Sequence, residues 1–132
     1  MKLSLKPVTN KDYKFLYRLL KQRPKEECIS HKVMPDYMSH RMFCGSHENI
    51  YKEWNIIYDG NKKIGSVYIT RLNEIGFHLV SSKDPIIDFI FSFYAGIARY
   101  ANVSPKNTKL TKILTSLGYK LIQHTYEKET IL

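Results

Sequence analysis

The sequence predicts an α/β fold: a mixed, largely antiparallel sheet with helices on both faces, in one domain over residues 1–132. Three observations predict it. Alternating segments at Tyr51–Tyr58 and Lys63–Thr70 flank Asp59-Gly-Asn-Lys, a strong hairpin signal. A short connection, Arg71-Leu-Asn73, leads into Glu74–Val80, so three antiparallel strands follow one another as a meander. The remaining apolar residues recur at helical spacing in segments before and after that meander.

Taken in order, Leu3–Val8 is short and alternates, which predicts an edge-type first strand. Thr9-Asn-Lys-Asp12 is a capping box, and Tyr13, Leu16, Leu19 and Leu20 then fall on one helical face. Gln22-Arg23-Pro24 stops that helix. Glu27–Met34 has mixed polarity and reads as a loop. Pro35–Phe43 is a second helix, with proline suited to its first turn. After the meander, Asp84-Pro85 starts a third helix with Ile86, Phe89, Ile90, Phe93 and Ile97 on one face. Tyr100–Val103 is a short strand, Pro105–Leu117 a helix ended by Gly118, and Tyr119–Tyr126 a final strand. The complete order is β-α-α-β-β-β-α-β-α-β.

Composition bounds the function. Apolar residues make up 43% and aromatics 13%, as in a folded globular chain with a core of its own. No apolar run approaches the roughly 18 residues of a membrane span. The N-terminus lacks the pattern of a signal peptide, and Cys28 and Cys44 form no Cys-x-x-Cys pair. A cytoplasmic protein with reduced thiols is expected. The formal charge of +9 attracts anionic partners, among them nucleic acid, phosphorylated cofactors and nucleotide-linked substrates. The lysines are spread along the chain without a block of like charge or a recognition motif, which disfavours nucleic acid. His31, His40, His47 and Cys44 match no compact ligand spacing, so no metal is expected.

With these elements in place, the chain resembles the GNAT superfamily of N-acetyltransferases over essentially its full length. The resemblance lies in Tyr51–Thr70 as the central hairpin, in Asn73-Glu-Ile-Gly76 as the start of the fourth strand, and in Ala101–Asn107 through Leu117-Gly-Tyr119 as the fifth strand and fourth helix. The loop Ile29–Pro35 is similar to that of members that acetylate amino sugars for surface polysaccharides. The resemblance implies acetyl-CoA as cosubstrate and direct attack of an acceptor amine on its thioester. A base takes the amine's proton, a backbone N–H on the fourth strand stabilises the oxyanion, and an acid protonates the departing thiolate.

Each candidate residue has a functional and a plain reading. Glu74 matches the position of a carboxylate base; its plain alternative is a solvated strand-edge carboxylate or a partner for a lysine. His78, four residues on and on the same strand face, is a proton relay or acceptor contact, or else a satisfied core histidine. The resemblance implies that Leu79, Val80, Ser81, Ser82 and Lys83 bind the cofactor, with the pyrophosphate on the loop, but Ser81-Ser-Lys-Asp-Pro85 contains no glycine. Asp84 adds negative charge there, so this loop also reads as a plain turn capped by Asp84. Asn107 matches a CoA contact, or is a helix cap. Seven residues later, where the superfamily often has a tyrosine acid, stands Leu114. His31 and Tyr51 are candidate acceptor contacts. The segment 86–98 is apolar nearly all round, which predicts either complete burial or a homodimer contact.

Two functional readings result. The first is an acetyl-CoA-dependent N-acetyltransferase acting on a small amine, an amino sugar or a nucleotide-linked amine. The second is an inactive GNAT-like binding module that has lost the phosphate loop.

Overall fold

The computed structural model describes residues 1–23 and 34–128. Five strands form one sheet in the order β1-β2-β3-β4-β5: Leu3–Pro7, Tyr51–Asp59, Lys62–Thr70, Glu74–Leu79 and Tyr100–Ala101. The first four run antiparallel to their neighbours and β5 runs parallel to β4. The described residues also form four α-helices: α1 Tyr13–Gln22, α2 Tyr37–Gly45, α3 Asp84–Phe93 and α4 Thr108–Ser116.

The expected hairpin forms with Gly60 at φ 61°, a left-handed backbone that glycine adopts without strain. The expected capping box also forms. The Thr9 amide donates to Asp12 Oδ2 at 2.9 Å at a single 3₁₀ turn ahead of α1. Asp12 is buried, and Lys63 Nζ reaches its other oxygen at 2.6 Å, tying the start of α1 to β3.

Strand alternation splits the core in two. On one face Ile57, Val67, Ile69 and Ile75 pack against Ile86, Ile87, Ile90, Phe91 and Tyr94 of α3 and its C-terminal turn, and against Leu114 of α4. On the other, Trp54 and Ile56 pack against Phe15, Leu16 and Leu19 of α1 and Cys44 of α2. Helices therefore cover both faces, as the sequence predicts.

Three expectations need correcting. Tyr119–Tyr126 forms no strand: the segment carries no regular structure, and Leu121, Ile122 and Tyr126 are exposed. The physical reason is the length of β5, whose ladder with β4 is two residue pairs long and offers a further strand little to pair with. The third helix ends at Phe93, and its core face is Ile86, Ile87, Ile90 and Phe91, whereas Phe93 and Ile97 of the expected stripe are exposed. Its residues are apolar on nearly every side, so periodicity alone leaves the buried face undetermined. Finally, the residue that caps α3 is Lys83, with Asp84 already inside the first turn.

Candidate functional site

The sheet opens at one place. The β4–β5 ladder holds only Glu74–Tyr100 and Ile75–Ala101, while β4 continues to Leu79 paired with β3 alone. Beyond Ile75 the β5-facing edge of β4 therefore has no strand partner among the described residues. Which amides face the opening follows from alternation. The Val80 N–H donates to the Ile64 carbonyl of β3 at 2.9 Å, so the amides of Phe77 and Leu79 point the other way, into the split. Leu79 thus turns its backbone donor toward the split, while Val80 has already spent its own.

The α1/α2 side of β4, beside this split, carries two separate groups of polar side chains. Glu74 accepts from Thr70 Oγ1 at 3.2 Å and from Asn102 Nδ2 at 2.6 Å, so both carboxylate oxygens are held. Arg23 Nη1 lies 2.8 Å from His78 Nε2. Tyr51 and Tyr68 stack with ring centroids 4.3 Å apart and planes 10° from parallel. Burial pushes the ionisation of both phenols up; the Arg23 guanidinium works against that rise in each, and the Glu74 carboxylate adds to it at Tyr68. Phe43 and Trp54 close the aromatic wall behind Tyr51 at 5.8 and 5.2 Å. The arrangement is a partly buried aromatic surface on the same sheet face as a carboxylate and an imidazole–guanidinium pair.

The wall depends on Gly76. A Cβ there would lie 2.2 Å from Tyr68 Cζ and Oη, so the absent side chain is what lets the Tyr68 ring lie across β4.

At the far end of β4 the glycine-free loop is tightly wound. The amides of Lys83, Ile86 and Ile87 are bonded within the loop and helix start, and Pro85 has none. The amides of Ser81, Ser82 and Asp84 remain, with two serine hydroxyls and the Lys83 ammonium beside them. Lys109 Nζ donates to the Ser82 carbonyl at 3.0 Å and pairs with the Asp84 carboxylate at 3.2 Å. The negative charge that opposes a phosphate is therefore partly offset by a cation from α4, though both side chains are exposed and such a pair is weak. These groups fit an anion through three amides and two cations in place of a glycine cradle.

Sequence reasoning placed the other candidates unevenly. Glu74 and His78 lie four residues apart along β4, on the sheet face that also carries Tyr51. Asn107 caps α4, its Oδ1 accepting from the Leu110 amide at 3.2 Å, as its plain reading has it. Leu114 is buried in the core. Tyr119 spends its hydroxyl on the Ala98 carbonyl at 2.8 Å. His31 lies outside the described residues. Arg23, Tyr68, Gly76 and Asn102 were not singled out as site residues. Tyr68 and Gly76 were findable from the β3–β4 register, which sets them opposite each other; nothing local marks Arg23 or Asn102.

Among the described residues no cluster of His, Cys, Asp or Glu is arranged to hold a metal ion. Nor is any helix there long and apolar enough to cross a membrane.

No family model matches the sequence, and no curated protein matches it either. Solved structures do match in fold. A domain from Methanocaldococcus jannaschii is 22% identical with a TM-score of 0.72, over 96% of this chain and 93% of that one. An acetyltransferase from Thermus thermophilus is 16% identical with a TM-score of 0.69, over 93% and 90%. A ribosomal-protein α-N-acetyltransferase solved with coenzyme A is 15% identical with a TM-score of 0.65, over 88% and 78%. The chain has the fold of the GNAT acetyltransferases.

Proposed function

We propose that this protein transfers an acetyl group from acetyl-CoA to a small amine. The observation that carries this reading is the split between β4 and β5, with the Phe77 and Leu79 amides facing it and Glu74 beside it. The solved acetyltransferase that shares the fold in complex with coenzyme A supports the cosubstrate.

In this reading the Leu79 or Phe77 amide donates to the thioester oxygen as it gains charge. The amine nitrogen attacks the carbonyl carbon, the C–S bond breaks, and the amine's proton passes to Glu74. The thiolate takes a proton from solvent, since Leu114 has none to give. The pyrophosphate rests on the amides of Ser81, Ser82 and Asp84 with Lys83 and Lys109 nearby. Tyr51 and Tyr68 supply a flat wall for the acceptor, and an amino sugar or a nucleotide-linked amine suits such a wall on a basic protein. The cytoplasm, where acetyl-CoA and reduced thiols occur, belongs to the same reading. A second copy covering the exposed Phe93 and Ile97 of the 86–98 segment completes it.

The tightly wound 81–87 loop favours a second reading, an inactive binding module of the same fold. One measurement separates the two. Acetyl-CoA at about 100 times its Kd is expected to stabilise the protein by about 2.7 kcal/mol, seen as a rise in Tm. No rise at millimolar acetyl-CoA or CoA overturns the acetyltransferase reading.

A further inference from the structure

We propose that the outer face of α1, with the groove between α1 and α2, binds single-stranded nucleic acid. This function goes beyond the acetyl transfer proposed above and stands without it.

The surface begins in the sequence. Lys11, Lys14, Arg18 and Lys21 recur at spacings of three, four and three residues, so the helical period brings all of them to one face. Phe15, Leu16, Leu19 and Leu20 turn the opposite face into the core, and the cations are exposed. Read along the chain these cations are dispersed, and that dispersal counted against nucleic acid. Wound into a helix they form a stripe. At a rise of 1.5 Å per residue the stripe runs about 15 Å, the axial length of about four phosphates of one strand.

No carboxylate neutralises it. Neither α1 nor α2 contains an aspartate or a glutamate. Among the described residues, Lys11, Lys14, Arg18, Lys21 and Arg41 form no ion pair; the pairs there are Lys63–Asp12 and Lys109–Asp84. Asp12 is buried against Lys63, and Asp36 accepts from the Ser39 amide at the start of α2. Lys21 keeps its charge on the stripe, 5.2 Å over the Tyr17 ring. Unopposed cations in a line attract a polyanion, whose counterions are released on contact.

The groove supplies the contact to bases. Asn10, Lys11, Tyr13 and Lys14 line it with Tyr37 and Arg41 of α2, around a space of ≈ 470 Å³. Arg41 thus adds a cation from the second helix. The Tyr37 ring is held edge-on by Tyr17, with centroids 5.3 Å apart and planes at 85°, and the Tyr17 hydroxyl donates to the Pro35 carbonyl at 2.8 Å. A held aromatic ring beside a line of cations suits a strand whose bases are free to stack, and such stacking tolerates any base. Met38 and Met42 are exposed on α2, which makes an anionic membrane the competing occupant. Nucleic acid is favoured because an interfacial helix turns its apolar face to the lipid, whereas α1 has turned its own into the core.

The test is fluorescence anisotropy of the full chain with a labelled oligouridylate of about ten nucleotides, over a range of salt concentrations. With four or five phosphates neutralised, log K is expected to fall with log salt at a slope of about −3. The double variant Lys14→Gln/Arg18→Gln is expected to bind about 10-fold more weakly at about 0.1 M salt, with the slope flattened by about 1.4. The control Lys106→Gln/Lys112→Gln removes the same charge from α4 and the turn before it, and is expected to change affinity by about 2-fold at most. Tyr37→Leu is expected to weaken binding by about 5-fold or more with the slope unchanged. Melting curves show whether each variant is folded, and the single substitutions replace a pair that is not. No binding at low salt, equal losses for the two double variants, or Tyr37→Leu binding as tightly as the unmodified protein overturns the inference. So does binding to phosphatidylserine vesicles without binding to the oligonucleotide. The acetyl-CoA melting shift is read separately: its absence sinks the acetyltransferase reading and leaves this one standing.

Discussion

Gly76 on β4 lies directly beneath the ring of Tyr68 on β3: a Cβ added to Gly76 would meet Tyr68 Cζ at 2.2 Å. The two residues are paired across the strands, so neither can move aside without breaking the ladder. The Tyr51–Tyr68 stack, and with it one wall of the site, exists because position 76 has no side chain.

Gly76→Ala is therefore expected to displace the Tyr68 ring and cost about 1–3 kcal/mol of stability. Urea unfolding gives the cost, and the near-ultraviolet circular dichroism of the tyrosines reports the stack. An unchanged tyrosine signal would show that the ring does not lie where the structure puts it.

Glu74 is the group that takes the acceptor's proton in the proposed reaction. Glu74→Gln keeps the shape and the bonds to Thr70 or Asn102 in part, but loses the basic lone pair. Its kcat is expected to fall by roughly 10²–10⁴ with the acetyl-CoA melting shift preserved. A variant that keeps its rate removes Glu74 from the chemistry.

Lys109 bridges the Ser82 carbonyl and the Asp84 carboxylate at the phosphate end. Lys109→Met leaves Asp84 unopposed beside the remaining loop amides. Calorimetry is expected to show CoA binding weakened by about 3- to 10-fold, more at low salt than at high. Equal affinities at all salt concentrations would place the pyrophosphate elsewhere.

Burial raises the Cys44 thiol from its ordinary 9.0 to about 11. A raised value means that folding disfavours the thiolate, so the thiol's contribution to stability is whole below about pH 9 and is lost as pH climbs toward 11. By linkage about 1.4 kcal/mol has gone by roughly pH 10. The raised phenols of Tyr51, Tyr68, Tyr94 and Tyr119 act in the same direction. Urea unfolding at pH 8 and pH 10 is expected to show a smaller loss for Cys44→Ala than for the unmodified protein; equal losses would mean Cys44 does not contribute.

Phe93 is 58% exposed on the outer side of α3. Phe93→Arg is expected to leave the melting temperature of the isolated chain within a degree or two while abolishing any dimer. Light scattering before and after the change decides the point, and a monomer in both removes this contact.

The sequence by itself determined the order of elements up to α4, because each is marked locally. Gly60 marks the hairpin, Thr9 and Asp12 the entry to α1, Pro85 the start of α3, and Gly118, at φ 94°, the exit from α4. It also placed Glu74 and His78 on one strand face, since a period of two needs no partner to be read. What only the tertiary structure decided is everything set by distance across the sheet. The buried face of α3 is chosen by Ile57, Val67 and Ile69 beneath it, since an all-apolar helix offers the sheet several faces at similar cost. Tyr119–Tyr126 has the residues of a strand, but a strand is a relation between two segments, and the two-residue β5 supplies no second one. Arg23 reaches His78 across 55 residues of chain. That contact depends on how α1 lies over β4, a packing angle that no local run of residues encodes.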